Sequence, residues 1–214
     1  MISELCLRCF ESFAIIETCI RAIRDDDVTT KMILIAGFGG AGKSTFASEL
    51  GKHLGLPFFC KDRIKEVMGD GYGPQSGEVY SKGSNVTLML MLYIAERFLE
   101  QGQTCILESN FRRSDRAILE NLLARFDAEC LTFVMGGDLA ILWERYQARE
   151  ASGARHWVHK KVVCYEDYVR YHRLGGHGEF SLGKTDYVDT SQFDRVDYAH
   201  LIERARRFID CDEP

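Results

Sequence analysis

Hydrophobic positions along this chain follow two rhythms: short unbroken apolar runs, and longer stretches in which apolar residues recur every three or four positions. Met32-Ile33-Leu34-Ile35-Ala36 is of the first kind and predicts a strand buried on both faces, as in parallel sheets. Thr45–Leu54 is of the second kind, with Phe46, Ala47, Leu50 and Leu54 along one helical face. Further runs predict strands at Leu56–Cys60, Thr104–Glu108, Ala128–Met135 and Tyr187–Asp189, and helices near 86–100 and 198–209. Strands that alternate with helices pair in parallel, because the crossover returns the chain to the same end of the sheet. The expectation is an α/β domain over residues 31–214, with about five parallel strands and helices on both faces.

Two segments stand apart. Residues 1–30 predict an N-terminal helical extension, with Leu5, Cys9, Ile16, Ile20 and Ile23 near helical spacing before the break Asp25-Asp26-Asp27. It is read as packing on the domain; a partner-facing helix and a translated leader ahead of Met32 are the other readings. Residues 69–85 contain Gly69, Gly71, Gly73, Gly77, Gly83 and Pro74 and predict a flexible insertion, either a lid over a second substrate or a surface loop.

Composition narrows the function classes. A length of 214 residues suits one domain with a full core, and a formal net charge of -5 argues against a broad grip on duplex nucleic acid. Of eight cysteines, Cys60, Cys105 and Cys130 lie in apolar runs, which fits reduced thiols better than a disulfide framework. Cys6 and Cys9 form a C-x-x-C with no second ligand pair after it. No apolar run approaches the roughly 20 residues of a membrane helix. The start lacks a basic signal segment and carries Glu4, Glu11 and Glu17, so the expected location is the cytoplasm.

Between the first strand and the first helix stands Gly37-Phe38-Gly39-Gly40-Ala41-Gly42-Lys43-Ser44, which matches G-x-x-x-x-G-K-[ST]. Glycines let the backbone curl around a triphosphate so that its N–H groups and the helix N-terminus face the oxygens. Lys43 then supplies charge to the β- and γ-phosphates, Ser44 a ligand for Mg²⁺, and Thr45 a contact to the α-phosphate. Gly37, Gly39 and Gly42 also spell G-x-G-x-x-G, with Asp62 where a ribose-binding acid would fall. Lys43-Ser44 has no role in dinucleotide binding, and this decides for the phosphate loop.

Other candidates lie at strand ends. Asp62 follows the second strand, where it can orient an acceptor hydroxyl or cap the next helix; Arg63 and Lys65 beside it are candidate substrate contacts. Glu108 closes the third strand and can act on Mg²⁺ through water or on a substrate hydroxyl, and Arg112 or Arg113 can meet an anionic group or solvent. Arg145 and Arg149 share a helical face, and Arg155 follows in a small-residue turn; together they predict an arginine lid at about 149–160. Their alternative is a solvated face paired with Glu144 and Glu150. Asp189-Thr190-Ser191-Gln192 is the expected wall for the base. His156, His159, His172 and His177 match no tetrahedral metal spacing.

As an ordered set, the loop Gly37–Ser44, Asp62, Glu108 and the Arg145, Arg149, Arg155 group resemble the P-loop kinases of small hydroxyl compounds: gluconate kinase, chloramphenicol phosphotransferase, the zeta toxins and the polynucleotide 5'-kinases. The likeness spans residues 31–210 and implies a P-loop NTPase three-layer sandwich that uses ATP and Mg²⁺. It implies that Asp62 positions or deprotonates the acceptor hydroxyl. The arginine pair also resembles adenylate kinases, which implies nucleotide contacts for Arg145 and Arg149. Polynucleotide kinases carry an arginine three residues after the acid, where this chain has Lys65. No aspartate closes a strand in the Walker B fashion. The expected activity is ATP-dependent phosphoryl transfer to a small hydroxyl-bearing or nucleoside-type acceptor; a nucleotide switch and a sugar-nucleotide toxin kinase are the alternatives. ATP or GTP, the acceptor and the oligomeric state stay open.

Overall fold

The computed structural model describes residues 29–73, 77–153, 155–159 and 162–210. The predicted N-terminal helix and the C-x-x-C therefore lie outside the described residues. Five strands, β1 (Lys31–Gly37), β2 (Phe58–Cys60), β3 (Cys105–Glu108), β4 (Glu129–Gly136) and β5 (Lys184–Asp189), form one sheet in the order β2-β3-β1-β4-β5. Every pairing is parallel. β1 lies at the centre and is buried along its whole length, which is why its sequence is an unbroken apolar run.

Alternation along β1 builds the two outer layers. Met32, Leu34 and Ala36 face one side, where they meet α3 (Gly77–Glu100) through Leu88, Met91, Ala95 and Leu99, and α4 (Arg116–Arg125) through Leu119 and Leu122. Ile33 and Ile35 face the other side. There they meet Phe46, Ala47 and Leu50 of α1 (Lys43–Leu54), Leu142 and Trp143 of α5 (Leu139–Ala151), Tyr168 of α6 (Tyr165–Gly175), and Leu201, Ala205 and Phe208 of α7 (Tyr198–Asp210). The expected three-layer sandwich is thus present.

Two expectations change. The glycine-rich stretch 69–85 is largely helical: α2 (Lys61–Tyr72) runs through Gly69 and Gly71, and α3 already begins at Gly77. Gly69 stays in its helix because it is covered; a Cβ there would lie 3.1 Å from Val158. β5 is longer than its apolar run because it is an edge strand whose residues are half-buried or exposed, so periodicity shows only its end.

β1 also begins on a charge. The Lys31 side chain is buried, and its ammonium donates to the carbonyl of Phe208 and, at 2.8 Å, to that of Ile209 at the C-terminal turn of α7. A cation there answers both the orphaned carbonyls and the negative end of the helix dipole. Lys31→Met is expected to cost about 1–3 kcal/mol, the penalty for orphaned buried acceptors, read as a lower urea midpoint. An unchanged midpoint contradicts this role.

Candidate active site

The carboxyl ends of β1, β2 and β3 open into a cleft of about 940 Å³, floored by the loop between β1 and α1. The loop's turn depends on glycine. Gly37 has φ 118° and a Cβ would strike the Met135 carbonyl at 1.9 Å; Gly40 has φ 83° and a Cβ would lie 2.4 Å from the Leu142 carbonyl. Phe38 packs away from the cleft, beside Gly136 and His172. Gly37, Phe38 and Ala41 shape the loop without lining the cleft, whereas Gly39, Gly40, Gly42, Lys43, Ser44 and Thr45 line it.

Lys43 is buried, and its Nζ donates to the Phe38 carbonyl at 2.6 Å. Burial pushes its pKa down, and the nearby carboxylates of Glu108 and Asp62 oppose the shift. The pairing of Ile35 with Glu108 sets the Glu108 carboxylate beside the loop, where it accepts a hydrogen bond from Ser44 Oγ at 2.9 Å. A hydroxyl and a buried carboxylate side by side at the foot of the loop fit a hard divalent cation, with Ser44 as ligand and Glu108 behind it. Burial and Glu108 push the Cys60 thiol up to about 12, so it is no nucleophile.

Asp62 is not a helix cap. The N-cap of α2 is Cys60, and no side-chain capping bond forms there. Its carboxylate is exposed to the cleft and has no hydrogen-bond partner among the described residues. Lys65 and Arg112 line the cleft as well. Arg63 does not: it pairs with Glu66 at 2.7 Å and its side chain is 77% exposed, because it leaves α2 on the solvent side. Arg113 is likewise turned away, paired with Glu179.

The arginines divide their tasks. Arg145 donates to the carbonyls of Thr190 (2.6 Å) and Ser191 (2.8 Å) and stacks 3.8 Å over Phe193, so it fastens the wall after β5. Arg149 and Arg155 lie over Tyr146, at 5.9 and 4.9 Å from its ring, and Arg155 pairs with Glu150. The segment 155–159 docks on α2: His156 meets Asp70 and His159 meets Glu66, each at 2.9 Å, while Val158 is buried against Gly69. Arg149, Arg155 and His159 line the cleft from this side. Among the described residues, no group of three His, Cys, Asp or Glu could hold a metal ion.

Three contributors escaped sequence reasoning: Phe193, Tyr168 and His172. Phe193 offers the cleft an aromatic face beside Gly42. The Tyr168 hydroxyl donates to the Gly39 carbonyl at 2.6 Å, and Gly39 N–H donates to His172 Nε2 at 3.3 Å. His172 Nε2 is then the acceptor, so Nδ1 carries the proton and donates to His177 Nδ1 at 3.0 Å. That leaves a buried donor at His177 Nε2, which has no partner among the described residues. The signal was the spacing of Tyr165, Tyr168, Val169 and His172, where aromatic and histidine residues replace aliphatic ones on a helical face.

Burial pushes His172 down to about 2 and His177 to about 4, helped in His172 by His177 and in both by Lys43. Both rings are neutral in the fold but titrate normally in the unfolded chain, which then binds more protons below about pH 6.5. Stability is therefore complete above that pH and falls as acid is added toward pH 4. Urea midpoints at pH 7, 6 and 5 are expected to decline, and less steeply in the double variant His172→Phe, His177→Leu; parallel slopes would contradict this.

The AAA domain family matches residues 32–164, more than half of the chain. No curated protein sequence matches it. Among solved structures, a protein of Chloroflexus aurantiacus j-10-fl provisionally named a kinase is 28% identical, with a TM-score of 0.76 over 84% of this chain and 98% of that one. Shikimate kinase from Bacteroides thetaiotaomicron (16% identity, TM-score 0.54, 84% and 98%) and a sugar kinase from Janibacter sp. HTCC2649 (15%, 0.51, 85% and 95%) are similar in fold. The loop, the sheet order and the match over residues 32–164 agree: this chain belongs to the AAA domain family and has the fold of a P-loop kinase.

Proposed function

We propose that the chain moves the γ-phosphoryl group of ATP to a hydroxyl of a small molecule. One observation carries this reading. Asp62, an exposed carboxylate without a hydrogen-bond partner among the described residues, faces the same cleft as Lys43, whose charge it feels. A free acid beside a phosphate-binding lysine suits a hydroxyl that must be aligned and relieved of its proton.

The roles follow from position. The N–H groups of Phe38, Gly39 and Ala41 are bonded within the protein, so those at the start of α1, from Gly42 to Ser44, are left to meet the phosphates, and Lys43 exchanges the Phe38 carbonyl for phosphate oxygens. Ser44, with Glu108 behind it, would hold the Mg²⁺ of the nucleotide, and the ion would neutralise charge on the phosphate oxygens. Phe193, backed by Arg145, provides a stacking face for the base. Asp62 accepts the acceptor's proton as its oxygen bonds to phosphorus and the bond to the ADP oxygen breaks. Arg149 and Arg155 come from the closing side, where they meet charge on the transferring group and help to exclude water. Catalysis of this kind is positioning plus fixed charge. Among the described residues no helix is long and apolar enough to cross a membrane.

The test is acceptor-dependent ADP formation. Lys43→Ala is expected to lower kcat about a hundredfold or more, on the order of 3 kcal/mol of transition-state stabilisation. Asp62→Asn is expected to lower transfer by about 10²- to 10⁴-fold while ATP binding persists. Near-normal turnover in either variant sinks the proposal.

A further inference from the structure

Beyond the nucleotide's own contacts, the cleft collects a second group of cations. Lys61 and Lys65 come from the first turns of α2 and Arg112 from the loop after β3; all three line the cleft, on other elements than the Arg149 and Arg155 side. Lys61 opens α2, so its ammonium adds to the positive end of the helix, the sign that a helix start disfavours unless an anion is present.

Arg112 is held in advance. Its backbone N–H donates to Asp115 Oδ2 at 2.9 Å, and its guanidinium is hydrogen-bonded to Tyr171 of α6, 5.8 Å from that ring's centre. Lys61 and Arg112 feel each other's charge, and burial with that repulsion lowers the Lys61 pKa, against the pull of Asp115. The nearby acids attract these cations as well, Asp115 and Asp62 acting on Lys61 and Asp115 on Arg112, but each also has a task of its own. Asp115 is bound to the Arg112 backbone, Asp167 pairs with Arg170, Glu108 accepts from Ser44, and Asp62 faces the transfer point. A chain of net charge -5 has thus brought Lys61, Lys65 and Arg112 into one cleft with Asp62.

We infer that Lys61 and Arg112, with Lys65 beside them, bind an anionic group of the acceptor, a carboxylate or a phosphate monoester, and so hold its hydroxyl toward Asp62. The substrate class is then hydroxy acids or sugar phosphates rather than neutral polyols. This rests on the kinase reading for the acceptor, but the anion site can be tested without turnover.

Two measurements separate the ideas. In the first, protein saturated with Mg²⁺ and a non-hydrolysable ATP analogue, which fills the γ-phosphate position, is titrated with inorganic phosphate and its melting temperature followed. A saturable rise that is lost in Lys61→Met, Arg112→Gln is expected; no rise, or one that survives in the double variant, overturns the anion site. In the second, phosphoryl transfer is compared for matched pairs: glycerate with glycerol, gluconate with glucose, and glucose 6-phosphate with glucose. Transfer to the anionic member, with its KM raised about tenfold or more in Lys61→Met and that for ATP unchanged, supports the inference. The carboxylate and phosphate arms tell the two anions apart. Equal transfer to the neutral members overturns the inference and leaves the kinase intact. Variant-sensitive phosphate binding with no acceptor labelled supports the anion site and counts against the kinase.

Discussion

A buried ammonium sets the terms for this site. Lys43 sits within a strand-to-helix turn where burial, and to a lesser degree Arg149, lowers its pKa, and the structure answers with the Phe38 carbonyl at 2.6 Å and the carboxylates of Glu108 and Asp62. Each compensation requires something of the fold. The carbonyl is in reach because Gly37 and Gly40 take left-handed conformations that side chains would block. Glu108 is in reach because β3 pairs with β1 in a register that ends beside the loop. Asp62 is in reach because β2 stops at Cys60 and α2 starts at once. The loop is closed on its own lysine and braced from α6 by Tyr168 and His172. A phosphate has only to replace one carbonyl.

What was legible in the sequence was what local rules determine. β1, the glycine loop and α1 are contiguous, and their pattern states both structure and chemistry. Asp62 and Glu108 were found because ligands of parallel sheets gather at strand ends. Arg145 was found by spacing, and it does line the cleft, but only the fold brings Thr190, Ser191 and Phe193 against it and adds the fastening of the wall. Arg63 was misjudged because a position beside an acid says nothing of which side of a helix faces the cleft.

The rest was hidden by tertiary structure. Glycines at 69 and 71 read as flexibility, yet Gly69 is small so that Val158 can seat against α2. α6 reads as polar because its buried face is made of tyrosine and histidine; those residues gain their meaning from Gly39, more than 120 positions earlier. The docked segment 155–159, tied by His156 and His159 to Asp70 and Glu66, joins the nucleotide side to the acceptor side. In the proposed reaction, movement of this segment would be felt by the helix that carries Asp62, Lys61 and Lys65.

The central claim is that the γ-phosphate goes to an alcohol oxygen and not to water. The most direct measurement is phosphorus NMR of MgATP incubated with the protein and a mixture of hydroxy acids and sugar phosphates. The account predicts a new phosphomonoester resonance that grows with ADP and is absent in Asp62→Asn. Inorganic phosphate as the sole product, formed at the same rate with or without the acceptors, contradicts it.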